Sequence, residues 1–246
     1  MGAASPLERF RQAPSRGFVL DFDGTLSEIV ARPEIARIAP GAAELLARLA
    51  ETNPLVAVVS GRPADQVRNL IAVPAVKVVG LYGLAQAEPG GALPGDAPED
   101  IRRAARMVSG TWVEEKGPSL AVHYRAAADT VAAEGILTAA LRRVAAAHGL
   151  SMLPGKMVIE LAAGEVPGKG AVVRALAGDA KVGGCLYAGD DLPDIDAFAA
   201  LDRLEEAGVA AVKVAVRSEE TPSAVLDAAD VVVDRPAGLV RLLSGL

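Results

Sequence analysis

Two aspartates follow a short apolar run near the start of the chain, in the stretch FVLDFDGTLSEIV (residues 18–30). If that run is a β-strand, Asp21 and Asp23 lie two residues apart and their carboxylates point to the same side. Two like charges so close together repel each other and favour a cation between them. We therefore expect a positively charged partner beside this pair.

Other polar residues stand where further predicted strands end or a helix begins. In open α/β sheets, ligands gather outside the carboxyl ends of the strands. Alone, each of these segments has an ordinary explanation as a turn, a cap or a surface lysine. Their occurrence in order at four element boundaries instead favours a functional site. The four segments are Asp21-Phe22-Asp23-Gly24-Thr25, Ser60-Gly61-Arg62, Lys169, and Gly189-Asp190-Asp191 with Asp194 nearby.

These residue types suit the transfer of a phosphoryl group. Mg²⁺ prefers one or two carboxylates and keeps room for phosphate oxygens, whereas ammonium and hydroxyl groups suit the phosphate itself. We expect Asp21 to be a covalent nucleophile on phosphorus and Asp23 to donate and accept the proton. We expect Mg²⁺ to bind Asp21, Asp190 and the main-chain carbonyl of Asp23, with Asp191 or Asp194 farther out. The residues predicted to bind phosphate are Gly24, Thr25, Ser60, Gly61, Arg62 and Lys169.

The composition limits the class of protein. The chain has 246 residues and is 51% hydrophobic but only 3% aromatic, which suits helices packed on a buried parallel sheet. A net charge of −6 without a basic run argues against a nucleic-acid partner. No apolar run reaches the ~18 residues of a membrane span, and the first residues lack an apolar signal core. The single cysteine, Cys185, cannot form an internal disulfide. Together with the lack of a membrane span and a signal core, this predicts a cytoplasmic protein with no membrane partner.

Short β-branched runs alternate with amphipathic helical runs along most of the chain. This alternation predicts the α/β class, with a Rossmann-like parallel sheet covered by helices. The predicted strands are residues 18–22, 55–59, 76–80, 184–188, 211–216 and 231–233. The predicted helices between them are residues 41–51, 63–71, 169–176, 194–207 and 222–228.

A Gly- and Pro-rich stretch, residues 88–98, interrupts this alternation. A second such stretch, residues 164–168, closes the interrupted region. We interpret the region as an inserted α+β domain, which gives a core of residues 1–88 and 167–246 and an insert of residues 89–166. Within the insert we predict helices over residues 99–109 and 130–148, and strands over residues 112–116, 119–124, 150–153 and 156–161.

The motifs as a set resemble those of the haloacid-dehalogenase-like phosphohydrolases, which carry Asp-x-Asp-Gly-Thr, then Ser or Thr, Lys, and Gly-Asp-Asp. Within that group the insert resembles the cap of trehalose-phosphate phosphatases, whose cap motifs are Glu-x-Lys, His-x-Arg and Gly-Lys-x-x-x-Glu-Leu. The resemblance implies a Mg²⁺-dependent hydrolase that removes phosphate from trehalose 6-phosphate. It also implies six sugar-binding residues, namely Glu114, Lys116, His123, Arg125, Lys156 and Glu160.

The residues of the insert suit a sugar on their own chemistry, since charged groups bind hydroxyls through charge-assisted hydrogen bonds. Alternation along a strand predicts one shared face for residues 119, 121, 123 and 125, and likewise for Lys156 and Glu160. Trp112 and Tyr124 are candidates for stacking on a sugar, although an aromatic residue in a small module more often packs in a core.

One departure and two alternatives complete the interpretation. Relatives often have x-Thr-Asp-Glu after Gly-Asp-Asp, but this chain has Leu192-Pro193-Asp194-Ile195, which predicts a different outer shell around the metal. The first alternative function is a phosphatase of another sugar phosphate, such as sucrose phosphate or mannosyl-phosphoglycerate. The second is a phosphate-sensing module without turnover, which would need neither Asp23 nor a sugar-binding insert.

Overall fold

The computed structural model describes residues 4–30, 32–83 and 92–246. Its contacts divide the chain into two units, Met1–Gly83 with Pro167–Leu246 as the first and Leu84–Val166 as the second. We call them the core unit and the insert unit. The predicted boundary between residues 88 and 89 lies outside the described residues.

The described residues form ten strands and nine α-helices, numbered here in chain order. The strands are β1 (Arg16–Leu20), β2 (Leu55–Val59), β3 (Lys77–Val79), β4 (Trp112–Glu115), β5 (Ser119–His123), β6 (Leu150–Gly155), β7 (Val158–Ala163), β8 (Gly184–Gly189), β9 (Ala210–Arg217) and β10 (Val231–Asp234). The helices are α1 (Pro6–Gln12), α2 (Ala42–Thr52), α3 (Ala64–Ile71), α4 (Ala97–Ala105), α5 (Thr130–His148), α6 (Gly168–Ala180), α7 (Leu192–Glu206), α8 (Ser223–Asp227) and α9 (Arg235–Ser244). None of these described helices has both the length and the apolar character needed to cross a membrane.

A parallel sheet of six strands, in the order β10-β9-β8-β1-β2-β3, is the centre of the core unit. Two of the inner strands carry no charged residue: β2 reads LVAVV and β8 reads GCLYAG, and every residue of both is buried. A strand covered on both faces needs such a continuous apolar sequence. The predicted α/β class with a Rossmann-like parallel sheet is confirmed.

Helices cover both faces of this sheet. Phe18 and Leu20 of β1 face one layer, where they pack with apolar side chains of α1, α2, α3 and α9. Val19 faces the other layer, formed by α6, α7 and α8. The division follows from side chains that alternate along a strand. Cys185 belongs to the second layer, and burial raises the pKa of its thiol to about 12, as expected of a core residue rather than a reactive one.

The first strand ends earlier than predicted. We expected it to reach Phe22, but β1 spans Arg16–Leu20. The N–H of Asp21 still donates to the carbonyl of Ala188 (2.9 Å), and the chain then leaves the sheet. Phe22 prolongs the apolar pattern because it packs in the core, although it lies beyond the strand. Strand alternation therefore does not place Asp23 on the side of Asp21.

The insert unit consists of a four-stranded antiparallel sheet, in the order β4-β5-β7-β6, with the helices α4 and α5. One face of the sheet packs on the helices, where Leu120 and Leu161 share a core with Ile101 of α4 and Leu137 of α5. Alternation along the strands places the neighbouring residues, including Glu160, on the opposite face. The unit thus has one apolar face and one polar face.

The last strand of the insert was predicted to begin at Lys156, and this prediction is wrong. β7 begins at Val158, which pairs with Gly155 of β6. Lys156 and Met157 form the two-residue turn between the strands, and Met157 has a positive φ of 55°. Because Lys156 lies in this turn, strand alternation does not place it on the same face as Glu160.

Candidate active site

Three buried carboxylates meet where β1 and β8 end. Asp21 follows β1, Asp190 follows β8, and Asp194 lies in the first turn of α7. The two strands are neighbours, with Leu20 opposite Ala188, so the residues after them lie side by side. One oxygen from each carboxylate lies within 4.8 Å of the others. The parallel sheet thus gathers three acids at its carboxyl edge, where ligands of such sheets bind.

Lys169 is buried among these acids. It lies in the first turn of α6, and its Nζ is 2.7 Å from Asp21 Oδ1 and 2.6 Å from Asp194 Oδ1. Burial by itself lowers the pKa of Lys169, but the negative charges of Asp194 and Asp21 outweigh it and leave that pKa well above its usual value. The lysine therefore keeps its positive charge inside the site.

Asp194 fixes this lysine and the turn after β8. Its Oδ1 accepts a further hydrogen bond from the hydroxyl of Tyr187 (2.6 Å), and its Oδ2 accepts from the N–H groups of Asp190 and Asp191 (2.8 Å each). Tyr187 was not among the predicted site residues. A tyrosine in a strand of otherwise small and apolar residues indicates a buried hydroxyl that needs a hydrogen-bond partner. This feature of the sequence could have identified Tyr187.

The cluster holds three carboxylates and one ammonium group, which pairs with Asp21 and Asp194. Burial raises the pKa of Asp21 well above its usual value; Lys169 opposes that rise, and the charges of Asp194 and Asp190 add to it. A hard divalent cation with oxygen ligands would relieve the repulsion. The donor set therefore fits such a cation. Asp21 and Asp190 are the better candidates for its ligands, since Asp194 already accepts four hydrogen bonds.

Asp23 is bound by Arg62 rather than by the acidic cluster. Arg62 donates from Nε and Nη2 to the two carboxylate oxygens of Asp23, both at 2.7 Å. Its Nη1 donates to the carbonyl of Pro33 (2.9 Å), and the guanidinium lies 5.6 Å from the centre of the Phe22 ring. A bidentate pair of this kind fixes the direction of a carboxylate. In this structure Arg62 thus orients Asp23, and its predicted contact with phosphate stays a prediction.

The turn after β1 packs closely against the turn after β8. Gly24 has a positive φ of 82°, and a Cβ at this position would lie 2.0 Å from Asp190 Oδ2. The hydroxyl of Thr25 donates to Asp190 Oδ1 at 3.3 Å. Both residues therefore lie beside the acidic cluster, and their role in phosphate binding stays a prediction.

The turn after β2 is built around Ser60 and Gly61. The buried Oγ of Ser60 accepts a hydrogen bond from the N–H of Arg62 (3.1 Å). Gly61 lies against Tyr82, whose hydroxyl would be 2.5 Å from a Cβ at position 61. A residue with a side chain would displace this tyrosine, so the glycine permits the close approach. Phosphate binding by Ser60 and Gly61 stays a prediction.

Asp191 begins α7. Its carboxylate accepts a hydrogen bond from the N–H of Leu192 (2.8 Å), and Asp194 reaches back in a capping box. Pro193 suits the first turn, where a missing N–H costs nothing. The departure from the usual sequence after Gly-Asp-Asp thus starts a regular helix, and Asp194 is the acid that this helix adds to the cluster.

The polar face of the insert sheet carries a second cluster of charged groups. Glu114 of β4, Ala121 of β5 and Glu160 of β7 lie opposite one another, so their side chains share this face. The carboxylate of Glu160, which is only 4% exposed, accepts hydrogen bonds from Lys116 Nζ (2.8 Å) and from the hydroxyl of Ser119. Such groups hydrogen-bond the hydroxyls of a polar ligand.

His123 also lies on this polar face, with its Nε2 2.9 Å from Glu114 Oε2. Because β5 ends at His123, alternation does not extend to Arg125. The two aromatic candidates differ. Tyr124 is buried in the core with α4 and α5, whereas Trp112 is 36% exposed and contacts His123.

Solved structures share this fold. The C-terminal domain of C. albicans trehalose-6-phosphate phosphatase has a TM-score of 0.80 at 21% identity, over 98% of this chain and 96% of that one. A haloacid dehalogenase-like hydrolase from Bacteroides thetaiotaomicron has a TM-score of 0.61 at 15% identity, over 94% of this chain and 99% of that one. The fold is therefore that of the haloacid-dehalogenase-like hydrolases.

Relatives of similar sequence indicate the family to which the chain belongs within this class of hydrolases. A trehalose-phosphate phosphatase of Mycobacterium tuberculosis is 36% identical over 196 residues, which cover 72% of this chain and 49% of that protein. An "uncharacterized glycosyl hydrolase" of the same organism is 39% identical over 216 residues, which cover 80% of this chain and 16% of that protein. The trehalose-phosphatase family model matches residues 19–231. The chain belongs to the trehalose-phosphatase family, and it spans at most about half the length of these two relatives.

Proposed function

We propose that this protein is a Mg²⁺-dependent phosphatase that hydrolyses trehalose 6-phosphate to trehalose and phosphate. The observation that carries the proposal is the buried set of Asp21, Lys169 and Asp190 at the carboxyl edge of the core sheet, in a chain of the trehalose-phosphatase family. A phosphate-sensing module would need no proton donor near the phosphorylated residue, yet Asp23 is present and is oriented by Arg62.

The first chemical step transfers the phosphoryl group to Asp21. A carboxylate oxygen of Asp21 forms a bond to phosphorus, and the bond between phosphorus and the sugar oxygen breaks. Asp23 gives its proton to that oxygen, so trehalose leaves as a neutral alcohol. Lys169, whose Nζ is 2.7 Å from Asp21 Oδ1, favours the charged nucleophile and offsets negative charge on the phosphate.

The second step releases phosphate. Asp23, now ionised, takes a proton from a water molecule whose oxygen bonds to phosphorus, and the bond between Asp21 and phosphorus breaks. The two hydrogen bonds from Arg62 hold the Asp23 carboxylate in one orientation through both transfers. Asp21, Asp190 and the main-chain carbonyl of Asp23 would hold Mg²⁺, which supplies positive charge to offset the phosphate oxygens when it is bound.

The polar face of the insert is proposed to bind the sugar. Glu160 supports this role because a nearly buried carboxylate with two fixed donors is a strong acceptor for sugar hydroxyls. Lys116, His123 and Glu114 add donors and acceptors on the same face. Arg125 and Lys156 remain predicted sugar contacts on the family resemblance alone.

Phosphate release from a panel of sugar phosphates tests the function. With Mg²⁺ present, we expect trehalose 6-phosphate to have the highest kcat/KM, above sucrose phosphate, mannosyl-phosphoglycerate and glucose 6-phosphate. A higher value for another sugar phosphate would leave the mechanism in place but refute the substrate. No release from any substrate would refute the enzymatic function.

Replacing Glu160 with glutamine is expected to reduce kcat/KM for trehalose 6-phosphate about 10- to 100-fold, because a buried hydrogen-bond partner of a charged group is worth about 1–3 kcal/mol. Hydrolysis of a small aryl phosphate, which presents no sugar hydroxyls, should change little. The measurement is the ratio of the two specificity constants in the wild type and the variant.

Glu115→Gln is the matched control for this substitution. Glu115 lies on β4 of the same sheet but is exposed and pairs with Arg102, so the ratio should stay at the wild-type value. An unchanged ratio in Glu160→Gln would show that Glu160 does not contribute to sugar recognition. Equal losses on both substrates would point to damage in the core unit instead.

A further inference from the structure

Trp112 is the only tryptophan in the chain, and it lies on the polar face of the insert sheet rather than in a core. On the edge strand β4 it stands directly opposite His123 of β5. The indole and imidazole rings are stacked, with their centres 3.9 Å apart and their planes 3° from parallel. The neighbouring Val113 packs with the apolar core on the other face. Core packing therefore does not explain this tryptophan.

A second contact holds the same imidazole. His123 Nε2 lies 2.9 Å from Glu114 Oε2, and because a carboxylate only accepts hydrogen bonds, Nε2 must carry the proton. Among the residues that the structure describes, none makes a hydrogen bond to His123 Nδ1. In the neutral ring this nitrogen is an acceptor, which matches the hydroxyl of a sugar.

We propose that Trp112 is a positioning residue for sugar recognition: by stacking on His123 it fixes the plane of the imidazole, so that Nδ1 is presented to a sugar hydroxyl. Glu114 restrains the ring at one atom only, and a ring held at one atom still rotates about that hydrogen bond. The stacked indole removes this freedom. The inference rests on the proposed function, since it requires a sugar phosphate as the substrate.

Steady-state kinetics of four proteins test this role: Trp112→Leu, Trp112→Phe, His123→Ala, and the double variant of Trp112→Leu with His123→Ala. Trp112→Leu should raise KM for the preferred sugar phosphate about 3- to 10-fold, the usual worth of an aromatic pair, with kcat unchanged. Trp112→Phe keeps an aromatic ring and should stay near the wild type. Hydrolysis of a small aryl phosphate should be unchanged in Trp112→Leu and Trp112→Phe.

The double variant decides whether Trp112 acts through His123. If it does, Trp112→Leu adds nothing once His123 is alanine, and the two KM effects are not additive. Additive effects would overturn the inference, because Trp112 would then act without the imidazole. A parallel loss of aryl phosphate hydrolysis, or a Trp112→Phe variant as poor as Trp112→Leu, would overturn it too.

Fluorescence gives a readout that needs no substrate. Because Trp112 is the only tryptophan, the emission of the protein above 300 nm under selective excitation comes from this residue. An imidazole in contact alters that emission, so His123→Ala should change it, and identical spectra would overturn the stacked arrangement. If the wild-type protein hydrolyses aryl phosphate but no sugar phosphate, the proposed substrate fails and the inference fails with it. If it hydrolyses a sugar phosphate but shows no coupling, only the inference fails.

Discussion

Replacing Asp21 with asparagine is expected to reduce the turnover of every phosphate ester to near background, a loss of at least about 10⁴-fold, as for other enzymes that lose their nucleophile. An amide of the same size cannot attack phosphorus. The fold should persist, because Lys169 keeps its contact with Asp194 Oδ1 at 2.6 Å. The measurements are phosphate release and the thermal unfolding midpoint, Tm.

The pH dependence of stability gives this substitution a second signature. Burial raises the pKa of Asp21 in the folded protein well above the unfolded value of 3.8. The proton bound to Asp21 therefore stabilises the fold below that value, and this stabilisation is lost as the pH rises through the folded pKa. Asparagine does not titrate, so without metal the stability of the variant should fall less over this range than that of the wild type.

Asp65→Asn is the matched control, since Asp65 is an exposed acid in the first turn of α3. This variant should keep wild-type turnover and wild-type pH dependence. Substantial activity in Asp21→Asn would exclude an aspartyl-phosphate intermediate on Asp21. An unfolded Asp21→Asn variant would be uninformative about chemistry, in which case Asp21→Glu, which keeps the charge but displaces it by one methylene, measures the same requirement.

Removing divalent metal is expected to abolish phosphatase activity, and adding Mg²⁺ is expected to restore it. Three carboxylates have oxygen atoms within 4.8 Å of one another, and a phosphate ester brings further negative charge to the same place. A bound cation also stabilises the folded state by mass action, so Mg²⁺ should raise Tm by several degrees even without substrate. Chelator titrations of activity and of Tm measure the two effects.

The substitution Asp190→Asn tests whether Mg²⁺ acts by binding to Asp190 or through a general effect of ions on the protein. This variant should lose both the activity and the shift of Tm that Mg²⁺ causes. Asp202→Asn, on the exposed part of α7, should keep both. Full activity in excess chelator would refute a metal requirement, and an equal Tm shift in Asp190→Asn would remove Asp190 from the ligand set.

The sequence predicted the fold well where strands are apolar and bounded by turn residues. β2 spans Leu55–Val59 as predicted, because its apolar run is bounded by Pro54 and Ser60. Two helices at the ends of the chain were missed. The first has a recognisable signal, since Ser5 and Glu8 form a capping box before a buried Phe10.

The other missed helix, α9, contains a proline and a glycine near its start, which read as a loop in the sequence. Its buried Leu239 and Leu243 are four residues apart and face the core together. This spacing indicates one side of a helix, but a single apolar pair is too short a pattern to outweigh the two helix-breaking residues.

The sequence predicted where the candidate site lies, but not which of its side chains contact one another. Parallel strands bring their carboxyl ends to one edge, so the approach of Asp21, Lys169 and Asp190 follows from the order of the elements. That Asp23 pairs with Arg62 depends on how two turns, 39 residues apart, fold against each other. Strand alternation has no information on a residue beyond the last strand position, which is also why Lys156 was placed on the wrong kind of element.

The contact between Gly24 and Asp190 limits how this sequence can change over evolutionary time. An alanine at position 24 would need both an unfavourable left-handed backbone and the space now filled by the Asp190 carboxylate, 2.0 Å from the new Cβ. A smaller residue at position 190 would make that space, but only by removing an acid from the cluster. Neither order of substitution passes through a variant that keeps the site. Position 24 is therefore restricted to glycine as long as Asp190 keeps its place in the cluster.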